Sequence, residues 1–270
     1  MLLSTNSIRV YITLNAALMT MSYFYYLVLQ TNLLYLILFT SAKNYYMTKA
    51  IEYVTNEKPL VNKNHVETEG YFVYFLIQSS AIEAATVYII VPQNLNPKYW
   101  QVAMTFIPMS FLHMVIFDLM FYGTHRFLHQ THLPWHKQHH EYTHLNPILT
   151  FYQDVFDIIA TISIPFIIST SVIQTLYPLS LFEIALLCIY KSYIEICGHS
   201  GHVSYPASSF PQFFWLPKLL NIDLYSEDHA LHHTEPGYNF SKQFSLWDKV
   251  FGTFKSAPNN KIAQIYTNQS

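Results

Sequence analysis

The chain has 270 residues, 51% of them apolar and only 11% charged, where a soluble domain carries about 25% charged residues. A deficit that large excludes an ordinary water-facing surface and points to lipid. The net charge of −2 excludes a nucleic-acid partner, because no basic face could neutralise phosphates, and two cysteines without a CxxC pair exclude a disulfide framework and a thiolate metal site.

Taken in chain order, residues 10–42 carry no charge. At about 1.5 Å per residue this run is longer than one ~30 Å crossing requires, so it reads as one tilted helix with an extension or as a tight pair. Segment 43–70 follows with Lys43, Lys49, Lys58, Lys63 and His65, the last expected to be solvated. Apolar runs recur at 71–92, interrupted by Glu83, and at 99–120, charge-free until Asp118 and containing His113, which is expected to be packed and hydrogen-bonded. Two more runs, 155–175 and 179–196, end with Lys191 and Glu195. The segment Pro92-Gln-Asn-Leu-Asn-Pro97 and the region around Pro178 read as breaker loops that join runs into hairpins. Segment 43–70, segment 122–154 and the tail from 197 then share one side, and lysine excess marks that side as cytosolic. The expected fold class is all-α: a multi-pass membrane helix bundle, about four to six spans in hairpins, with a cytosolic histidine-rich helical cap. The expected division is an N-terminal membrane segment and linker (1–70), a catalytic domain (71–255) and a polar tail (256–270).

The chemistry lies in the histidines. His125-Arg-Phe-Leu-His129 and His136-Lys-Gln-His139-His140 are followed some ninety residues later by His229-Ala-Leu-His232-His233. Residues three and four apart share a helix face, so each triplet is expected to aim its rings one way. Pro134 should open a fresh helix between the first two clusters. With 14 histidines in 270 residues, two HxxHH patterns arise by chance roughly once in a thousand such chains. Eight clustered histidines exceed the four ligands of a structural zinc site, so two metals sharing the set is the economical reading. Gly198-His199-Ser200-Gly201-His202 adds two more histidines, and His132 and His144 flank the clusters as surface residues or further ligands. Asp118, an ionisable group at the end of an apolar run, reads either as the carboxylate that orients a ligand histidine or as a helix-end carboxylate.

The ordered set HRFLH, HKQHH, GHSGH and HALHH, with Trp247-Asp248-Lys-Val-Phe-Gly-Thr253 behind it, resembles the fatty acid hydroxylase superfamily of membrane oxygenases, over about residues 100–255. That superfamily includes sterol desaturases, methylsterol oxidases and cholesterol side-chain hydroxylases. The resemblance implies helices capped by a cytosolic region, with two iron ions held by histidine and an endoplasmic reticulum membrane. It implies molecular oxygen and outside electrons, used to hydroxylate or desaturate a lipid. Carried over by position, His125, His129, His136, His139, His140, His199, His229, His232 and His233 match the metal ligands. His202 stands in a slot that is often aromatic in the sterol branch, which makes it the weakest member of the set. Trp247 and Asp248 match a structural signature, and no catalytic residue beyond the metal ligands is implied. The HKQHHEYTH stretch and the His-Ser-Gly element lean toward sterol-type members; fatty acid or sphingolipid hydroxylases are the alternative, and either substrate suggests an aromatic-rich pocket. With six glycines and no GxGxxG fingerprint, electrons must come from a separate partner, by resemblance a cytochrome b-type carrier or a reductase. A histidine-rich metal transporter is the rival from another class. It would place its ligands inside the spanning runs, whereas these clusters lie outside them.

Overall fold

A computed structural model describes residues 5–61, 72–91, 98–204 and 207–257. His65 and the Pro92–Pro97 breaker lie outside these residues. Among the described residues the fold is helical throughout, with one isolated β-bridge between Leu60 and His202. Four stretches are long and apolar enough to cross a membrane: Ile8–Leu29, Phe72–Ile90, Tyr99–Thr131 and Val155–Leu176.

The uncharged run 10–42 is a pair. Helix α1 (Thr5–Leu29) ends in a short turn, and α2 (Leu33–Thr55) begins where the Asn32 side chain accepts a hydrogen bond from the Tyr35 N–H at 3.1 Å. An asparagine cap replaces an orphan partner at the helix start, and it marks the break that apolarity alone leaves ambiguous. Helix α3 (Phe72–Ile90) follows, then α4 (Tyr99–Thr131). The 33 residues of α4 make a rod of roughly 50 Å, long enough to cross a ~30 Å apolar layer with several turns to spare. Pro134 opens the short α5 (Pro134–Lys137), but helix does not continue through His140. Beyond it, α6 (Val155–Ile158), a π-helical turn (Ile159–Ser163) and α7 (Ile164–Leu176) run on as one span.

Helix α8 (Leu181–Gly198) starts at a capping box in which the Ser180 N–H donates to Glu183 and the Glu183 N–H donates back to the Ser180 hydroxyl. Fifteen of its 18 residues are buried, as expected for a helix apolar on every side. It is the axis of the bundle. The closest pairings are α1 with α8, α2 with α3 and α4 with α7, so of these only α2 and α3 are neighbours in sequence.

Lipid tails are as apolar as leucine, so helices in a bilayer are held together by close packing and by polar bonds between helices. Several such bonds are present. Lys43 Nζ on α2 donates to Glu83 on α3 at 2.6 Å and to Ser192 on α8 at 2.8 Å, and Asn44 Nδ2 donates to Ser80 and Glu83 at 2.9 Å. Thr86 donates to Ser163 at 2.8 Å, and His113 pairs with Thr170 and Ser169 on α7 at 3.1 and 3.0 Å. His113 is therefore a packed histidine, as its setting in an apolar run suggests. At one end of the bundle the chain leaving α2 meets the chain leaving α8: the Val61 N–H donates to the Gly201 carbonyl and the Val203 N–H to the Pro59 carbonyl, both at 2.9 Å. Gly201 has φ +71, and a Cβ there would strike the Leu145 carbonyl, so this position requires glycine. The remaining short helices are α9 (Trp215–Leu219), α10 (Ser226–Thr234) and α11 (Leu246–Val250).

Candidate metal centre

Nine histidines converge at the end of the bundle where α4 emerges, in two groups: His125, His129, His136, His140 and His232, and His139, His199, His229 and His233. Within each group one ring nitrogen per residue lies within 4.8 Å of all the others. The groups abut, with the His140 and His233 rings 4.5 Å apart between centroids.

Local structure explains the sorting. His125 and His129, at i and i+4, sit on the last turns of α4 and enter one group. In each HxxHH triplet the i, i+4 pair shares a group and the i+3 histidine crosses to the other: His136 and His140 against His139, and His229 and His233 against His232. On α10, neighbouring helical residues differ by about 100° around the axis, so that triplet points two ways rather than the single way expected from spacing, and the turn after α5 divides His136, His139 and His140 in the same pattern. One short segment thus supplies both groups and fixes their separation.

The second ring nitrogen of several histidines is held by the fold. Nδ1 of His125 lies 2.7 Å from the Phe240 carbonyl, Nδ1 of His232 lies 2.6 Å from the Tyr238 carbonyl, and Nδ1 of His199 lies 3.0 Å from the Glu195 carbonyl. A carbonyl only accepts, so each of these Nδ1 atoms carries the proton and each Nε2 presents a lone pair. Those Nε2 atoms point at one another, His125 to His232 at 3.0 Å and His199 to His229 at 3.1 Å. His129 and His136 come within 3.1 Å in the same way, and His136 and His140 within 3.0 Å. Between His125 and His232, whose Nδ1 atoms are both held by carbonyls, the opposed lone pairs repel, and a cation between them removes the repulsion. Nitrogen donors about 2 Å from an ion stand up to ~4 Å apart, so the pairs at 3.0 and 3.1 Å can share one transition-metal ion in each group. An all-imidazole donor set suits iron, zinc, copper and nickel.

Burial first, and the neighbouring imidazoles next, hold His139, His140, His232 and His233 well below the usual histidine range. For His199 and His229 the second cause is the Lys242 ammonium, which lies 3.5 Å from His199 Nδ1. Burial pushes Lys242 itself down to about 8. The rings are therefore neutral at pH 7, the form that binds metal.

Two expected residues are placed elsewhere. His202 joins neither group; its Nδ1 donates to the Lys58 carbonyl at 2.8 Å, because the bridge to Leu60 turns it toward the chain leaving α2. Asp118 bonds to no histidine and is not a helix-end carboxylate either. It lies inside α4 and accepts from the Lys242, Gln243 and Phe244 N–H groups at 2.7, 2.9 and 3.1 Å. Two turns before His125, its side chain meets the loop that supplies the Phe240 carbonyl. Asp248 braces the same loop by accepting from the Phe240 and Ser241 N–H groups at 2.8 Å, and Trp247 Nε1 donates to the Val115 carbonyl at 3.0 Å. The carboxylate that does hold a histidine is Asp157, 3.0 Å from His136 Nδ1 and completely buried beside the π-helical turn. Its signal in the sequence is an ionisable residue inside an apolar run, the same signal that singles out Asp118. His132, in a left-handed conformation at the end of α4, is exposed, and His144 lies outside both groups.

Comparison with known proteins gives an independent result. The fatty acid hydroxylase family model matches residues 110–253, more than half of the chain. Fatty acid hydroxylase vlmA from Lecanicillium sp is 33% identical over 53% of this chain and 40% of that protein. Cholesterol 25-hydroxylase from Rattus norvegicus is 26% identical over 55% of this chain and 47% of its own. The very-long-chain aldehyde decarbonylase GL1-5 from Oryza sativa subsp. indica is 26% identical over 53% of this chain and 23% of its own. The chain thus spans less than half the length of each of these relatives. No solved structure matches. The residues matched run from α4 through the last histidine triplet to the loop beyond Asp248, and the chain belongs to the fatty acid hydroxylase family.

Proposed function

We propose that this protein is a membrane oxygenase that hydroxylates or desaturates a lipid, with one iron ion in each histidine group. The observation that carries the reading is the convergence of nine imidazoles, seven of them buried, in two abutting groups at the end of a helix long and apolar enough to cross a membrane. The relatives' names speak for lipid oxidation: a fatty acid hydroxylase and a cholesterol 25-hydroxylase both match across this region. The lipid class stays between those two; the HKQHHEYTH stretch and the His-Ser-Gly element favour a sterol, and the relative at 33% identity favours an acyl chain.

In this reading the nine histidines are the ligands, and His202 is not. When bound, the iron pair supplies the oxygen chemistry that side chains lack. The rest belongs to the chain. The carbonyls of Phe240, Tyr238 and Glu195 fix the tautomer of three ligand rings. Asp157 strengthens His136 as a donor. Asp118 and Asp248 hold the loop that carries the Phe240 carbonyl, so they position a ligand without touching it. Burial keeps water from the site. Molecular oxygen, a lipid arriving sideways from the bilayer and an external electron carrier at the histidine face complete the reaction, with that face in the cytosol of an endoplasmic reticulum membrane.

Iron content and oxygen-dependent lipid oxidation, measured on one purified sample, test the proposal. Two irons per chain and a product carrying one atom of 18O from labelled oxygen, or a new double bond, are expected. His232→Ala and His139→Ala each remove a ligand from a different group. Each is expected to lower the iron content toward one per chain and to abolish product, with the helical circular dichroism unchanged. Full activity in either variant, or iron-free turnover, contradicts the assignment.

A further inference from the structure

A cavity of about 730 Å³ lies between α1, α2 and the end of α8. It exists because α1 packs along α8 and α2 packs along α3, while α1 and α2 touch each other little. One wall is an apolar stripe of α1 that includes Leu14, Leu18 and Met21; the facing wall is α2, with Met47, Ile51 and Val54. From Arg9 to Met21 this is a path of about 18 Å. The inner wall includes His229, a member of the second histidine group, and Lys242. The lining is mainly apolar, with Tyr46, Tyr193 and Tyr225 its aromatic members.

Charge is distributed unevenly along this cavity. Arg9 and Lys58 line it and are exposed. Among the described residues no carboxylate lines it: Asp223 and Glu227 bond to the lining serines Ser208 and Ser204 from outside. Both cations lie at the histidine end. The Lys58 carbonyl accepts from His202, and two residues beyond Arg9 the Tyr11 hydroxyl ties α1 to the Gln212 carbonyl at 2.8 Å. The apolar stripe runs from there toward Met21, away from the histidines.

We propose that this cavity binds an acyl lipid with an anionic head, carboxylate or phosphate, held by Arg9 and Lys58, with its chain laid along α1 and α2. The carbons presented to His229 and its group are then those near the head. A neutral sterol gains nothing from the two cations. The binding claim stands on the cavity alone; its consequence for the carbon attacked rests on the oxygenase reading above.

The test uses the full-length protein, purified with its metal and placed in zwitterionic lipid nanodiscs. Binding of palmitate, palmitoyl-lysophosphatidate, hexadecanol and cholesterol is measured by thermal shift and by competition. At least one of the two anionic lipids is expected to bind more tightly than hexadecanol and cholesterol, and the tighter of the two identifies the head. The double variant Arg9→Gln/Lys58→Gln, at exposed positions, is expected to weaken that anionic lipid on the order of tenfold and to leave hexadecanol unchanged. Ala17→Trp, which fills the cavity, is expected to remove binding of all four with iron content unchanged. Equal binding of cholesterol, or no effect of the double variant on the anionic lipids, overturns the proposal. In turnover, oxidation at the methyl end of the chain overturns the head-near orientation. Intact anionic-lipid binding in a protein that holds no iron or makes no product sinks the oxygenase reading and leaves the binding site standing.

Discussion

Asp157 and Asp118 show how one residue type, at comparable depth, does two different jobs. Asp157 faces an imidazole, so in the proposed reading it orients His136 and raises its basicity as a donor. Asp157→Asn is expected to lower metal affinity at the first histidine group by about 10–100-fold, read by chelator competition, while Asp118→Asn acts through the loop at 242–244. The buried rings also set a pH dependence. His229, His232 and His233 are held well below their usual range, whereas in the unfolded chain they titrate near 6.5. Below about pH 6.5 the unfolded chain therefore binds more protons than the folded one, so the contribution is complete above that pH and is lost as pH falls, by up to about 1.4 kcal/mol per ring per pH unit. The melting temperature of the chelator-treated protein should fall between pH 6.5 and 5; a flat profile across that range contradicts neutral, buried ligands.

At the scale of elements, polar bonds decide which apolar helices become neighbours. The Lys43–Glu83 pair joins α2 to α3 and reaches α8 through Ser192. Breaking a buried pair by removing one partner costs about 3–5 kcal/mol, because the other charge is left alone, whereas replacing both with apolar groups is often neutral. Lys43→Met alone should therefore destabilise the bundle strongly, and Lys43→Met/Glu83→Met should recover most of the loss, both read by unfolding in detergent. The π-helical turn is the second device at this scale. It lies directly after the short helix that carries Asp157 and before the lower part of the same span, and single π turns inside helices are frequent at functional sites.

At the scale of the molecule, α4 is roughly 50 Å long, and beyond Pro108 it runs on to His125 and His129 without a further proline. In the proposed reading, a ligand pair on the end of this helix is held at a fixed height relative to the apolar layer, where a lipid can reach it from the side. The proposed orientation makes this checkable in native membranes. Cysteines at Lys98, just before α4, and Lys137, at the end of α5, both exposed positions, should react with an impermeant thiol reagent from opposite faces, Lys137→Cys from the cytosolic one. Labelling of both from one face contradicts the crossing.

Read alone, the amino-acid sequence determined that the chain is helical, that several runs can cross a membrane, and which histidines belong together, because charge depletion and i, i+3, i+4 spacing are local properties carried by neighbouring residues. It left the run at 10–42 open, since an uncharged turn at Asn32 looks like the helices around it. It set His202 beside the true cluster members, whereas the bridge to Leu60 turns that side chain away. Only the tertiary structure decided which segments share each histidine group, that Asp157 rather than Asp118 holds an imidazole, and that backbone carbonyls fix three more. Those partners come from chain segments up to 115 residues away, as with Phe240 and His125, and a contact made by folding leaves no spacing to read.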